Sequence, residues 1–88
     1  MTANIIQIST TAGVKTATVV KTIELYNFQY DTEIIDTDGA AIETKKITAI
    51  SDKPVVVGDL IEIEGLRYRA IRSVMSHHDV TRFVAEQL

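Results

Sequence analysis

Apolar and polar residues alternate with a period of two along most of the chain, which is the pattern of half-buried β-strands. In TVVKTIELYNFQY, residues 18–30, Val19, Ile23 and Leu25 hold odd positions, and the aromatic residues hold even positions from Tyr26 to Tyr30. Such a change of phase predicts a β-bulge or a strand that crosses between two packed layers. We expect the three aromatic side chains of YNFQY to share one face, in the core or at a subunit interface, where Tyr and Phe are enriched.

Five further segments show strand-like patterning, and the abundant threonine and β-branched residues favour strands over helices. They are NIIQIS at 4–9, IETKKITAI at 42–50, DLIEIEG at 59–65, LRYRAIRSVM at 66–75 and VTRFVAEQL at 80–88. Residues 14–20 allow one short helix near the N-terminus as an alternative to a strand. Turn-forming clusters separate the segments: DTDGAA at 36–41, SDKP at 51–54 and SHHD at 76–79.

The spacing of these segments predicts an all-β fold, a small β-barrel or sandwich of five to seven antiparallel strands. The 88 residues suffice for one small domain and are too few for two, so residues 1–88 are expected to form a single β domain. A domain of this size buries a modest fraction of its surface, and we expect marginal stability unless partners add to it.

The segment IEIEGLRYRAIR, residues 61–72, predicts a β-hairpin that sets its own register. We expect a two-residue loop at Gly65-Leu66, because a type II′ turn requires positive φ at its first loop position. The pairs that follow are Glu64 with Arg67, Ile63 with Tyr68, and Glu62 with Arg69. A slip by one residue would bury all four charges, so the charged pairs and the apolar face specify one register. The segment is interpreted as scaffold rather than as a nucleic-acid surface.

The charge balance argues against nucleic acid as a partner. Nine basic residues stand against twelve acidic ones, a net charge of −3, and neither half has the basic excess that binding a phosphate backbone requires. The chain has no cysteine for a disulfide or a thiolate site. No apolar run approaches the ~18 residues of a membrane span, and the N-terminus lacks the features of a signal peptide. We expect a protein used without export, with no membrane and no cofactor.

The one cluster that resembles a metal or acid–base site is His77, His78 and Asp79. A metal site needs three or four converging ligands, whereas adjacent residues in an extended segment point to opposite faces. We therefore interpret this segment as a polar contact loop between two strands, weakly pH-sensitive if the domain oligomerises. No catalytic set is evident, and we expect no enzyme; an enzyme with a His/Asp metal site is kept only as a third alternative.

Two segments together resemble the head-completion and head-closure proteins of long-tailed bacteriophages. ELYNFQYDTEIIDTDGAAIETKKITAI resembles their first half, in which a strand with a Tyr-Asp element leads through a loop rich in Thr, Asp and Gly into a second strand. VVVGDLIEIEGLRYRAIRSV resembles their C-terminal signature. The matching positions are Gly58, Asp59, Ile61, Ile63, Gly65, Tyr68, Ala70 and Val74. The two segments span roughly residues 24–74, over half of the chain.

The resemblance implies a structural virion protein that is made in the cytoplasm of the bacterial host. Such proteins form a homo-oligomeric ring between the portal or its adaptor and the tail proteins, and a stopper closes the DNA channel with a loop from each subunit. By position, the channel loop would comprise Asp36, Thr37, Asp38, Gly39, Ala40 and Ala41. Stopper, head–tail joiner and tail-completion protein are all compatible with the resemblance. The alternative is a small β-barrel interaction or ligand-binding adaptor of a cellular complex.

Overall fold

A computed structural model describes the backbone of residues 1–88 and every side chain except those of Thr37 and His77. Along this described backbone lie six antiparallel strands: β1 (Thr2–Thr11), β2 (Val14–Thr37), β3 (Ala40–Ser51), β4 (Leu60–Ile63), β5 (Leu66–Met75) and β6 (Thr81–Gln87). They pair in the order β1-β2-β3-β6-β5-β4, and β4 pairs back with β1 to close a barrel. The predicted all-β fold is confirmed. Among the described residues, no helix has the length and apolar character needed to cross a membrane.

The core fills the inside of the barrel with aliphatic, alanine and aromatic side chains. Its buried apolar members are Ala3, Ile5, Ile6, Ile23, Leu25, Ile47, Ala49, Val55, Ile61, Ile63, Tyr68, Ala70, Phe83 and Ala85. Ala70 pairs with Ala85 across β5 and β6, and these small residues leave space inside the barrel for the rings of Tyr68 and Phe83.

Two polar side chains are buried with the core, and each takes part in a hydrogen bond. Ser51 and Thr81 lie opposite each other on β3 and β6. The Oγ of Ser51 accepts a hydrogen bond from the backbone N–H of Lys53 at 3.2 Å, and the Oγ1 of Thr81 accepts one from Val55 N–H at 3.4 Å. Lys53 and Val55 lie in the connection between β3 and β4, so both bonds satisfy backbone donors of that connection. They thereby hold it against one end of the barrel.

The change of phase predicted in β2 is a β-bulge. Between Tyr26 and Gln29, β2 advances by three residues while β3 advances by two, and Asn27 has a positive φ of 53°. The extra residue puts Tyr26 and Tyr30 on opposite faces of β2, so the expectation that the three aromatic side chains share one face is wrong. Only Phe28 packs against the core, with its ring edge-on to Tyr30 at a centroid distance of 4.8 Å.

The short N-terminal helix that the sequence allows is not formed, because residues 14–20 belong to β2 and pair with β1. Ala12 and Gly13 have φ values of 52° and 78°, which are those of a type I′ hairpin turn, and this turn sends the chain straight back along β1. The valines and threonines that follow are β-branched, which lowers their helix propensity and favours the strand.

Two hairpins extend beyond the barrel as two-stranded arms. Every residue from 7 to 20 in the first arm is exposed, and so is every described side chain from 31 to 43 in the second. The Cα radius of gyration is 14.4 Å, against about 12 Å for a compact chain of this length. The molecule is therefore a small barrel with two ribbons that the core does not support.

A matched pair of conservative substitutions measures the contrast between barrel and arm. Ile61→Val is expected to lower the free energy of unfolding by about 0.5–1.5 kcal/mol, because it opens a small cavity at a residue that is 0% exposed. Ile34→Val, at a residue that is 66% exposed, is expected to change it by less than about 0.5 kcal/mol. Urea unfolding of both variants checks this, and equal losses would contradict the assignment of the arm to solvent.

Candidate functional site

The hairpin that joins β4 to β5 turns one residue earlier than the sequence predicts. Glu64 and Gly65 have φ values of 50° and 81°, so they form the two-residue loop of a type I′ turn. The observed pairs are Leu60 with Arg69, Ile61 with Tyr68, Glu62 with Arg67, and Ile63 with Leu66. The predicted type II′ loop at Gly65-Leu66 and all its predicted pairs are wrong. The reason is that glycine serves equally well as the second residue of a type I′ turn, whose twist matches that of the strands.

The faces of this hairpin are nevertheless as predicted. When the loop moves by one residue, the residue opposite each strand position changes by two positions. Because side chains alternate between faces with a period of two, every side chain stays on its original face. Ile61, Ile63, Tyr68 and Ala70 accordingly all point into the core. Burial raises the pKa of the Tyr68 phenol, because the charged phenolate is poorly solvated there. Its ring is a core side chain rather than a ligand contact.

The charges of the hairpin find partners other than those predicted. Glu62 pairs with Arg67, with 3.5 Å between Oε2 and Nε, and both side chains are partly exposed, which limits the pair to at most about 1 kcal/mol. Arg69 instead lies opposite Glu86 of β6. Glu86 lies opposite Lys46 of β3, so opposite charges alternate across three strands on the outside of the barrel. Arg67 and Arg69 of the hairpin thus have carboxylates as cross-strand neighbours.

Gly58 and Asp59 form the turn that precedes β4. The N–H of Asp59 donates to the carbonyl of Val56 at 3.0 Å, and the Oδ2 of Asp59 accepts from the Val56 N–H at 3.0 Å. Gly58 has a φ of 97°, a conformation that residues with a side chain rarely adopt. The Asp59 carbonyl then accepts from Ala70 N–H at 2.9 Å, which ties the turn to β5. The pair is structural: it positions β4 for pairing.

The segment 36–41, predicted as a channel loop, is the tip of the second arm. Asp38 and Gly39 have φ values of 48° and 80° and make a tight type I′ turn. Asp36 lies in β2 opposite Ala41 of β3, with Ala40 beside the turn. The side chain of Thr37 lies outside the described residues. The tip is therefore a two-residue turn at the end of a ribbon, not a long loop.

The ribbon behind this tip is both acidic and apolar, and we call residues 31–43 the acidic arm. It carries five acidic residues and no basic residue. Ile34, Ile35 and Ile42 are all exposed on it. The Oε2 of Glu33 lies 3.3 Å from Lys46 Nζ at the base of the arm. Exposed isoleucines on an unsupported ribbon form an apolar surface of the kind that proteins use for contacts with other proteins.

The segment His77–Asp79, predicted as a contact loop, forms a short 3-10 turn between β5 and β6. The N–H and the Oγ of Ser76 both donate to the carbonyl of Val80, at 2.8 and 3.0 Å, and these bonds close the turn. His78 is exposed, and the side chain of His77 lies outside the described residues. Within the described residues, no group of three His, Cys, Asp or Glu side chains could hold a metal ion.

A second surface, which the sequence did not reveal, lies on the outside of the barrel. The register places Tyr26, Ile50, Arg82 and Val74 side by side on β2, β3, β6 and β5, and Arg72 lies next to Val74 on the same face. We call these five residues the outer patch. Tyr26 and Val74 are 54% and 63% exposed. Such a cluster of aromatic, aliphatic and arginine side chains is typical of protein–protein interfaces.

Comparison of the sequence with protein-family models finds no match, and comparison with curated proteins finds none.

Substitution of the turn residue tests the corrected hairpin. Glu64 holds a left-handed conformation that costs a non-glycine residue roughly 1 kcal/mol or more, whereas Asn tolerates it well. Glu64→Asn is therefore expected to raise the free energy of unfolding by about 0.5–1 kcal/mol. Leu66→Asn is the control, because Leu66 lies in a strand opposite Ile63 and is expected to gain nothing. If chemical denaturation showed that Leu66→Asn stabilises the protein and Glu64→Asn does not, the result would support the type II′ loop at Gly65-Leu66 instead.

Proposed function

We propose that the chain is a structural protein of the phage virion that acts at the head–tail interface, in a ring between the portal or its adaptor and the tail. The observation that carries the proposal is the acidic arm. It is a two-stranded ribbon, exposed along its length, whose tip coincides with the channel loop that the phage resemblance implies. A projecting ribbon of this kind can reach a neighbouring subunit or the lumen of a ring.

The roles of the signature residues support the same proposal. Gly58 and Gly65 both occupy turns with positive φ, and Tyr68 is a core residue. Gly58, Gly65 and Tyr68 therefore each have a structural role in the barrel. Most positions of the signature lie in turns or in the core, as expected of a scaffold, whereas Val74 is exposed on the outer patch.

The charge of the acidic arm suits a channel that DNA must pass. Residues 31–43 hold five acidic residues and no basic residue, so the arm repels the phosphate backbone. A loop that gripped DNA would hinder ejection, whereas an acidic tip closes a channel by its bulk and releases DNA without adhesion. Whether the chain serves as stopper, head–tail joiner or tail-completion protein depends on the neighbours that its arms contact.

A second candidate is a small β-barrel adaptor of a cellular complex. The exposed isoleucines of the acidic arm and the arginines of the outer patch favour it, since an adaptor also works through protein–protein contacts. The two candidates share one mechanism and differ in the assembly that receives the chain.

Deletion of the gene from the phage or prophage that encodes it tests the virion proposal. We expect lysates to contain DNA-filled or leaking heads and free tails that are not joined, and plasmid expression of the chain to restore complete particles. Cryo-electron microscopy of the complete particles is expected to place the barrel between portal and tail tube. Infectious deletion particles, or particles with no copy of the chain at that position, would contradict the proposal and favour the cellular adaptor.

A further inference from the structure

One face of the acidic arm carries acidic side chains that have no basic partner in the described part of the chain. Cross-strand pairing of Ile34 with Glu43, and of Asp36 with Ala41, puts all four residues on the same face. Neither Asp36 nor Glu43 forms an ion pair within the described residues. On the opposite face, by contrast, Glu33 is paired with Lys46. The first face therefore presents two unpaired carboxylates around an exposed isoleucine.

The outer patch presents the complementary set. Arg72 and Arg82 are both exposed, and neither guanidinium forms an ion pair with a described carboxylate. Two shallow depressions meet at Ile50 and Arg82, one extending towards Val74 and the other towards Gln29. The patch thus offers two positive charges beside an apolar hollow, which matches an apolar residue flanked by two carboxylates.

The arm of a chain does not reach its own patch. Asp38 at the tip lies twelve residues beyond Tyr26 along the same hairpin, which corresponds to roughly 35–40 Å of extended strand. From Gln29 to Thr37, β2 stays paired with β3 without a break, so the ribbon extends away from the patch rather than folding back over it. Any contact between the two surfaces must therefore join different copies of the chain.

We propose that the acidic arm of one copy docks, by the face that carries Ile34, Asp36 and Glu43, on the outer patch of a second copy. The two surfaces differ, so the contact is head-to-tail and leaves an arm and a patch unused at the ends of any open chain of subunits. Repetition of such a contact gives a ring when the rotation between copies closes. The inference adds a specific subunit contact to the proposed function, and it rests on that function only for the closure of the ring.

Charge reversal of each surface, followed by mixing, tests the contact in the purified full-length chain. The patch variant is Arg72→Glu/Arg82→Glu, and the arm variant is Asp36→Lys/Glu43→Lys. In sedimentation equilibrium at low ionic strength, we expect the average mass of the unaltered protein to rise with concentration and to fall when salt is added. Each variant alone is expected to raise the dissociation constant about tenfold or more, because like charges then face each other.

An equimolar mixture of the two variants is the decisive sample. In the mixture, the acidic arm of the patch variant can bind the arginines of the arm variant. The lysines of the arm variant can likewise bind the glutamates of the patch variant, so the average mass is expected to rise again. Misfolded chains would not give this rescue. Lys15→Glu/Lys53→Glu changes the net charge as much as the patch variant does and is expected to associate like the unaltered protein.

Three results would overturn the inference: an unaltered protein that stays monomeric at about 1 mM and low salt, a patch variant that associates normally, or a mixture that does not recover. This test uses no virion, so it separates failure of the contact from failure of the proposed function. A chain that associates as described but is missing from the virion would leave the contact standing and reject the phage assignment.

Discussion

Three residue pairs between β1 and β4 turn a six-stranded sheet into a barrel. Asn4, Ile5 and Ile6 of β1 lie opposite Glu62, Ile61 and Leu60 of β4, and no other pairing joins these two strands in the described chain. Closure gives β4, which has only four residues, a hydrogen-bonded neighbour on each side, and it encloses the apolar faces of all six strands. The β4–β5 hairpin depends on it, because Ile61 lies opposite Ile5 in the closing pairs and would lose that neighbour in an open sheet. The type I′ turn at Glu64-Gly65 and the hydrogen bonds around Asp59 serve this closure, since both position β4.

Closure also explains why the two exposed surfaces, the acidic arm and the outer patch, lie where they do. A barrel of this size has no room for the apolar residues of long strands, so β2 and β3 continue past it as an arm whose isoleucines remain exposed. The bulge after Tyr26 turns that residue outwards, next to Ile50 and in line with Arg82 and Val74. One long strand therefore contributes to both surfaces, the outer patch near its middle and the acidic arm at its end. The proposed contact between copies joins the part of β2 and β3 that the barrel leaves without a core to the outside of the barrel itself.

Local patterns in the sequence predicted much of this fold. The period of two identified the strands, and the change of phase after Leu25 identified the bulge, because both depend on neighbours along the chain. The exact hairpin loop was mispredicted, since a single glycine fits both a type I′ and a type II′ turn and both loops bury the same residues. The outer patch was missed for a different reason. It joins residues from four strands, and their alignment depends on registers between distant segments, such as Ile50 with Arg82, which no local pattern encodes. The residue types of segment 36–41 indicated a turn or loop. That it is a tight turn at the end of a long ribbon follows only from the pairing of β2 with β3.

Native-state hydrogen exchange, resolved by residue, tests most directly whether the chain is a closed barrel with unsupported arms. The account predicts that hydrogen-bonded amides of β1 and β4 around Ile5 and Ile61 exchange only on global unfolding, together with those of β6. Amides of the acidic arm, residues 31–43, are predicted to exchange through local opening at much lower free energy, because no core holds that ribbon in place. Rapid exchange around Ile5 and Ile61, or protection of the arm equal to that of the barrel in the monomer, would contradict the account.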